Sequence, residues 1–331
     1  MKDFIKPKVI ISKCIEFDHC RWNGQIIRSP LVELLKTYVD FEPVCAEVEI
    51  GLGVPRISVR IVKHGNDLKL IQGETQTDLT RIMNEFCDNF LELVKEMDGF
   101  ILKSKSPSCG IFQTKHYSGI EKGAAVISKG AGFFGRAVIQ KFSDLAIETE
   151  ARLRNFRIRE HWLIKIYTIA NFHHIKTIMS MHELVEYHTK NKLLFMAYNQ
   201  DLMRELGKIV ANHSKLSLER VIESYEYHLF KLLNRPPNYT SHINTLMHAF
   251  GYISKDLSHQ EKAFFLDELA KYRSGWVPLF TITKLLDAWI VRFAENYLKK
   301  QTYFNPYPEE LMTFDIRDTW RGRSYWEKDI T

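Results

Sequence analysis

The 331-residue chain predicts an α/β N-terminal domain built on a parallel sheet, followed by an all-α C-terminal domain. Two observations carry this. Short β-branched runs alternate with helix-period patterns through about residue 145. From about Asn155 the apolar residues follow helical spacing almost to the end. Strands separated by helices are the pattern of a parallel sheet with right-handed crossovers, here Rossmann-like.

The elements follow in order. Val9-Ile10-Ile11 reads as a strand ending at Ser12-Lys13-Cys14, and Tyr38-Val39-Asp40-Phe41 leads into Glu42-Pro43-Val44-Cys45. From Leu79, apolar residues recur at Ile82, Met83, Phe86, Cys87, Phe90, Leu93, Val94 and Met97, the stripe of one helix face. Gly99 to Lys103 reads as a buried strand, followed by the loop Ser104-Lys105-Ser106-Pro107-Ser108-Cys109-Gly110. In the second half, Ile158, Trp162, Ile166 and Ile169 form an i, i+4 ladder. A single amphipathic helix is expected from Leu279 through Trp289 to Tyr297, with breaks at Arg235-Pro236-Pro237-Asn238, Gly275 and Asn305-Pro306. The expected organisation is 1–148 for the α/β domain, 149–312 for the helical domain and 313–331 for a C-terminal tail.

With 45% hydrophobic and 26% charged residues, the chain can bury a sizeable core and is neither collagen-like nor disordered. No stretch approaches the roughly 18 uncharged apolar residues of a membrane span. The N-terminal apolar run is too short for a signal peptide, so a cytoplasmic protein without membrane attachment is expected. Five cysteines at irregular spacing do not form a disulfide framework, which leaves metal or catalytic use.

Cys14, Cys45 and Cys109 each follow a predicted strand. All strand C-termini of a parallel sheet lie on one edge, so these thiols are expected on one rim. Three thiolates there suit either a zinc with a fourth ligand or an iron–sulfur cluster held by three cysteines with one iron open. Cys87 lies on the apolar helix stripe and reads as core. Cys20, close to Cys14 in the loop Asp18-His19-Cys20-Arg21-Trp22-Asn23-Gly24, and His19 beside it are further possible ligands. Glu47 and Ser106 stand in the same loops, where a carboxylate beside a metal can move protons or activate water.

These residues resemble the TudS/RudS-type desulfidase family. The resemblance rests on Ser12-Lys13-Cys14, Pro43-Val44-Cys45-Ala46-Glu47 with Val54-Pro55-Arg56, and Ser106-Pro107-Ser108-Cys109-Gly110, over about residues 6–145. The helical half, with Asn191 to Tyr198 and Leu246-Met247-His248-Ala249-Phe250-Gly251, resembles the helical domain fused to that module in many bacterial proteins. The resemblance implies a [4Fe-4S] cluster on Cys14, Cys45 and Cys109 with one open iron, and catalytic roles for Glu47 and Ser106. It further implies removal of sulfur from 4-thiouridine in tRNA to give uridine and sulfide, without net redox change. One departure is Ala46, where the family usually has proline. Cys20 belongs to a loop type associated with the fused subgroup and is not assigned to the cluster.

The resemblance implies a tRNA partner, and the charge places any polyanion contact on the helical half, although such a basic run is equally a solvated helix face. Residues 1–150 carry 20 basic against 20 acidic residues, and residues 151–331 carry 26 against 20, so the net charge of +6 lies wholly in the second half. Arg152, Arg154, Arg157, Arg159 and Lys165 form one basic segment, and Lys190 with Lys192 a smaller one; such groups would give salt-dependent contact with tRNA phosphates. Two other readings stand beside this one. The first is a desulfidase of free thiouracil or thionucleosides. The second is a non-catalytic RNA-binding or redox-sensing protein whose metal site is structural.

Overall fold

The computed structural model describes residues 4–65 and 67–312. The tail expected at 313–331 lies outside them. The chain divides into two compact units, one running to Ile166 and resuming at Tyr307, the other Tyr167–Pro306.

In the first unit, β1 (Lys8–Ser12), α1 (Pro30–Leu35), β2 (Asp40–Val44), α2 (Ala46–Glu49), β3 (Val59–His64) and β4 (Asp67–Gln72) lead to the long α3 (Thr80–Leu93). Then come β5 (Gly99–Leu102), β6 (Thr114–Tyr117), β7 (Val126–Gly130), α4 (Phe133–Lys141) and β8 (Ala146–Thr149). The expected sheet is present: β2-β1-β5-β8, every pairing parallel. Its central strands are fully buried, with Val9, Ile10, Ile11, Phe100, Ile101 and Leu102 all at 0% exposure, as a sheet covered on both faces requires. Gly99 permits the close β5–β8 approach, since a Cβ there would stand 2.7 Å from the Ala146 carbonyl oxygen.

A second sheet, β4-β3-β6-β7, was not expected from the sequence. It is mixed: β3 pairs antiparallel with β4 and parallel with β6, and β6 pairs antiparallel with β7. β3 and β4 carry the polar–apolar alternation of half-buried strands over six residues each, a strand signal present in the sequence. Ile61 and Leu70 from this sheet share one core with Ile10 and Phe100 of the first, Met83, Cys87 and Leu91 of α3, and Phe133, Phe134 and Val138 of α4. Cys87 is thus a core residue, as its stripe indicated.

The second unit is helical. α5 (Phe156–Ile178) carries the division between units. It is followed by α6 (Met181–Tyr198), α7 (Gln200–Ala211), α8 (Leu218–Leu232), α9 (Tyr239–Ile253), α10 (His259–Arg273), α11 (Leu279–Phe293) and α12 (Asn296–Lys300). Caps define the starts: Ser180, Asn199 and Asn238 accept backbone N–H bonds, and Ser258 forms a capping box with Glu261. The single helix expected to reach Tyr297 instead stops at Phe293. Ala294 turns left-handed (φ 50°), and Tyr297 belongs to α12.

Candidate active site

The C-terminal edge of the parallel sheet is where the three thiols meet. β1 ends two residues before Cys14, β2 one residue before Cys45, and the loop after β5 carries Cys109. Cys14, Cys45, Cys109 and also Cys20 line one cavity of about 350 Å³, together with Glu47 and Ser106. Register explains the convergence: Ser12 pairs with Val44, and the Lys13 amide continues the ladder by donating to the Val44 carbonyl (2.8 Å). His19 is exposed and does not line the cavity.

The loop that presents Cys109 is built by backbone bonds. Ser106 Oγ accepts from the amides of Ser108 (3.2 Å) and Cys109 (3.1 Å), and Gly110 N donates to Ser106 O (2.9 Å). The start of α4 then docks on it: Gly132 N donates to Gly110 O, Phe133 N to Pro107 O and Gly135 N to Ser108 O, at 2.7–3.1 Å. These amides include helix N-terminal donors without intrahelical partners, and the loop carbonyls satisfy them. The approach requires glycine. A Cβ at Gly132 would lie 2.5 Å from Pro107 O, and one at Gly135 would lie 2.8 Å from Cys109 O. At the other end, Glu150 accepts from Ser104 N (2.8 Å), Ser104 Oγ (2.7 Å) and Lys103 Nζ (2.8 Å), fixing where the loop leaves β5.

Glu47 is held from two sides. Arg56 donates from Nε (2.8 Å) and Nη2 (2.7 Å) to Oε2, and Ser108 Oγ donates to Oε1 (2.8 Å). The two charged side chains are only 6% and 12% exposed. Arg56 Nη1 also donates to Cys20 O (3.0 Å), and Arg56 N to Trp22 O (2.7 Å), so one guanidinium ties the carboxylate to the Cys20 loop. Sequence reasoning placed Glu47 in the site and named Val54-Pro55-Arg56 without a role for the arginine. The serine touching Glu47 is Ser108, fully buried, whereas Ser106 shapes the loop and faces the cavity. Ala46 is the first residue of α2 and fully buried. Proline is favoured at that helix position, so alanine there keeps the local geometry.

Three of the thiols, Cys20, Cys45 and Cys109, are shifted toward the protonated form. Cys14 beside it pushes the Cys20 thiol up to about 11. The contact with Cys20, then burial, raises Cys45, and burial raises Cys109 against the opposing pull of the Ser12 and Ser106 hydroxyls. Iron or zinc binding there must displace those protons. Among the described residues, no three His, Cys, Asp or Glu side chains are gathered around the point a single ion would occupy. A cluster asks for something different, because each thiolate takes its own iron and the ligands stand around it. The thiols of Cys14, Cys45 and Cys109 lining one cavity are donors of the type a cluster takes.

The predicted basic residues are spread over both units. Arg154 and Arg157 are exposed. Arg152 makes a two-bond pair with Glu148 (2.8 and 3.0 Å), and Arg159 donates to Leu153 O (3.2 Å). Lys165 is 5% exposed, donates to Leu145 O (3.1 Å) and is lowered to about 8 by burial, so it is no part of a phosphate-facing surface. On α6, Lys190 pairs with Glu186 (2.8 Å) and Lys192 is exposed.

Comparison with known proteins adds to this geometry. Residues 9–150 match the family described as 2-thiouracil desulfurase, and residues 192–308 match a family described as a protein of unknown function, DUF1722. A curated relative, the uncharacterized protein YbgA of Escherichia coli (strain K12), is 29% identical over 157 residues, covering 47% of this chain and 93% of its own. A solved structure described as the [4Fe-4S]-dependent thiouracil desulfidase TudS aligns at 25% identity and a TM-score of 0.36, covering 45% of this chain and 94% of that one. No helix among the described residues is long and apolar enough to cross a membrane.

Proposed function

We propose that the chain is a [4Fe-4S]-dependent desulfidase that converts 4-thiouridine in tRNA to uridine and sulfide, with Cys14, Cys45 and Cys109 as cluster ligands. The observation that carries this reading is the buried carboxylate Glu47, fixed by Arg56 and Ser108 in the same cavity as the thiols. A purely structural metal site has no use for such a group. The cluster, when bound, supplies a Lewis-acidic iron that prefers a soft thiocarbonyl sulfur to oxygen.

The chain's own residues do the remaining work. Glu47 takes a proton from the water that attacks the ring carbon, and Arg56 holds the carboxylate oriented for that transfer. Ser106 Oγ accepts two amide bonds and keeps its own proton to donate into the cavity. Carbon exchanges its bond to sulfur for one to oxygen, and two protons and the sulfur leave as hydrogen sulfide. Trp22, Arg56 and Ser58 line both the cysteine cavity and an open groove of about 1000 Å³, room for a polynucleotide. Arg152, Arg154, Arg157, Arg159, Lys190 and Lys192 are the proposed phosphate contacts.

A second reading, desulfuration of free thiouracil, is favoured by the description of the family that residues 9–150 match. Anaerobic reconstitution with iron and sulfide, followed by sulfide-release assays on 4-thiouridine-containing tRNA and on 2-thiouracil, separates the two. Release from tRNA that falls with added salt supports the first; release from the free base alone supports the second. An absorbance near about 400 nm without release from either substrate overturns both.

A further inference from the structure

The helical unit contains its own cavity, of about 520 Å³, far along the sequence from the cysteine loops and lined by α6, α7, α9 and α12. We infer that this cavity binds a nucleoside phosphate, either free or as one unit of an RNA chain. The inference goes beyond the desulfidase reading, with which it shares only Lys192, and its test on the helical unit's cavity needs no desulfidase activity.

Charge comes first. Lys192, Arg204 and Lys208 line the cavity, and among the described residues no aspartate or glutamate does. Arg204 and Lys208 have partners outside it, Asp201 (3.5 Å) and Glu205 (2.8 Å). These are solvent-exposed pairs on a helix surface, worth little individually, so an incoming phosphate can compete for both cations. A phosphate would also accept bidentate bonds from the Arg204 guanidinium.

The rest of the lining is not what a bare anion needs. Tyr252 and Tyr297 stack with centroids 4.8 Å apart and planes 25° from parallel, and Tyr252 is 49% exposed. A paired aromatic platform offers a ring face to a nucleobase, a contact worth about 1–3 kcal/mol per base. Met196 and Met203, both buried, supply a soft apolar wall. Gly207 contributes no side chain to fill the space beside His188: a Cβ there would come to 3.5 Å from Nε2. Cations on one part of the lining with stacked rings and thioethers on another select an anion attached to a flat ring. The volume falls within the roughly 300–1,000 Å³ of small-molecule sites.

The test is titration calorimetry on the full chain at low salt, with AMP, UMP, uridine, inorganic phosphate and a uridine tetranucleotide as probes. The expected result is saturable binding of AMP and UMP, with uridine and inorganic phosphate each weaker by at least about tenfold. The double variant Lys192→Ala/Arg204→Ala and, separately, Tyr252→Ala should each weaken UMP by about tenfold or more, with circular dichroism unchanged. A tetranucleotide that binds more than about tenfold tighter than UMP identifies the RNA chain as the source; equal affinity identifies the free nucleotide. The inference is overturned if neither mononucleotide nor tetranucleotide saturates, if inorganic phosphate binds as well as UMP, or if both variants bind as the parent does.

Discussion

Removing Arg56 should cost more than removing Arg56 and Glu47 together would suggest, because most of the damage lies in the charge left behind. Arg56→Met deletes two charge-assisted bonds to Glu47 Oε2, at 2.8 and 2.7 Å, and strands a carboxylate that is only 12% exposed. Breaking a buried pair from one side costs about 3–5 kcal/mol. Glu47→Gln is milder, since the Arg56 guanidinium keeps the Cys20 and Gly53 carbonyls as acceptors at 3.0 and 3.3 Å. A loss of about 2 kcal/mol is expected there, one or two charged hydrogen bonds. In the double variant no charge remains unpaired, so the measured loss should fall short of the summed single losses by at least about 2 kcal/mol. Hydrogen exchange at the β1 and β5 amides reads the opening free energy of that unit alone. A coupling below about 0.5 kcal/mol would refute the claim that the pair acts as one buried unit.

Lys165 gives a pH signature. Its folded value of about 8 lies below the ordinary 10.5, so between these the unfolded chain holds a proton that the fold does not. Stability should therefore rise from pH 8 to 10.5, by on the order of 3 kcal/mol, and fall as pH drops through 8; Lys165→Met should flatten that rise in denaturation measured across the window. Gly135→Ala adds a Cβ 2.8 Å from Cys109 O, and the overpacking cost of about 1–3 kcal/mol should exceed the helix-propensity gain, seen as a lowered Tm and a reduced iron content after reconstitution. Ser108→Ala and Ser106→Ala should separate: the first keeps iron loading and lowers turnover by about 10²-fold through Glu47, while the second also lowers loading because two amides of the Cys109 loop lose their acceptor. Equal loading in both would contradict the division of roles.

The rim of thiols was legible because apolar runs precede Cys14 and the Cys109 loop and an extended Pro-Val step precedes Cys45, and parallel strands deliver their ends to one edge. The position of Glu47 followed from Cys45, two residues away. What sits around Glu47 was not legible. Arg56 returns to it through a turn whose path no periodicity encodes, and a motif with two serines does not say which one points at the carboxylate. The second sheet escaped for a different reason. β7 leaves Val126 and Ile127 exposed at 42% and 51%, so it lacks a one-sided apolar pattern; β3 and β4 did carry polar–apolar alternation, a readable strand signal that was passed over. Helix α11 ended early because Ala294 adopts a left-handed turn that alanine does not advertise. Lys165 looked like part of a basic face, and only packing shows that its stem and ammonium are inside.

The docking of α4 on the Cys109 loop gives the cavity one built-in wall. The loop is held by main-chain bonds among Ser106, Pro107, Ser108, Gly110, Gly132 and Gly135, none of which involves a cysteine sulfur. In small zinc domains the metal is the keystone, and removing it unfolds the chain. A cluster bound as proposed would meet, on its Cys109 side, a wall whose bonds do not pass through it. Oxidative loss of iron should leave an intact, refillable scaffold, with hydrogen-exchange protection in β1 and β5 the same before loading and after stripping.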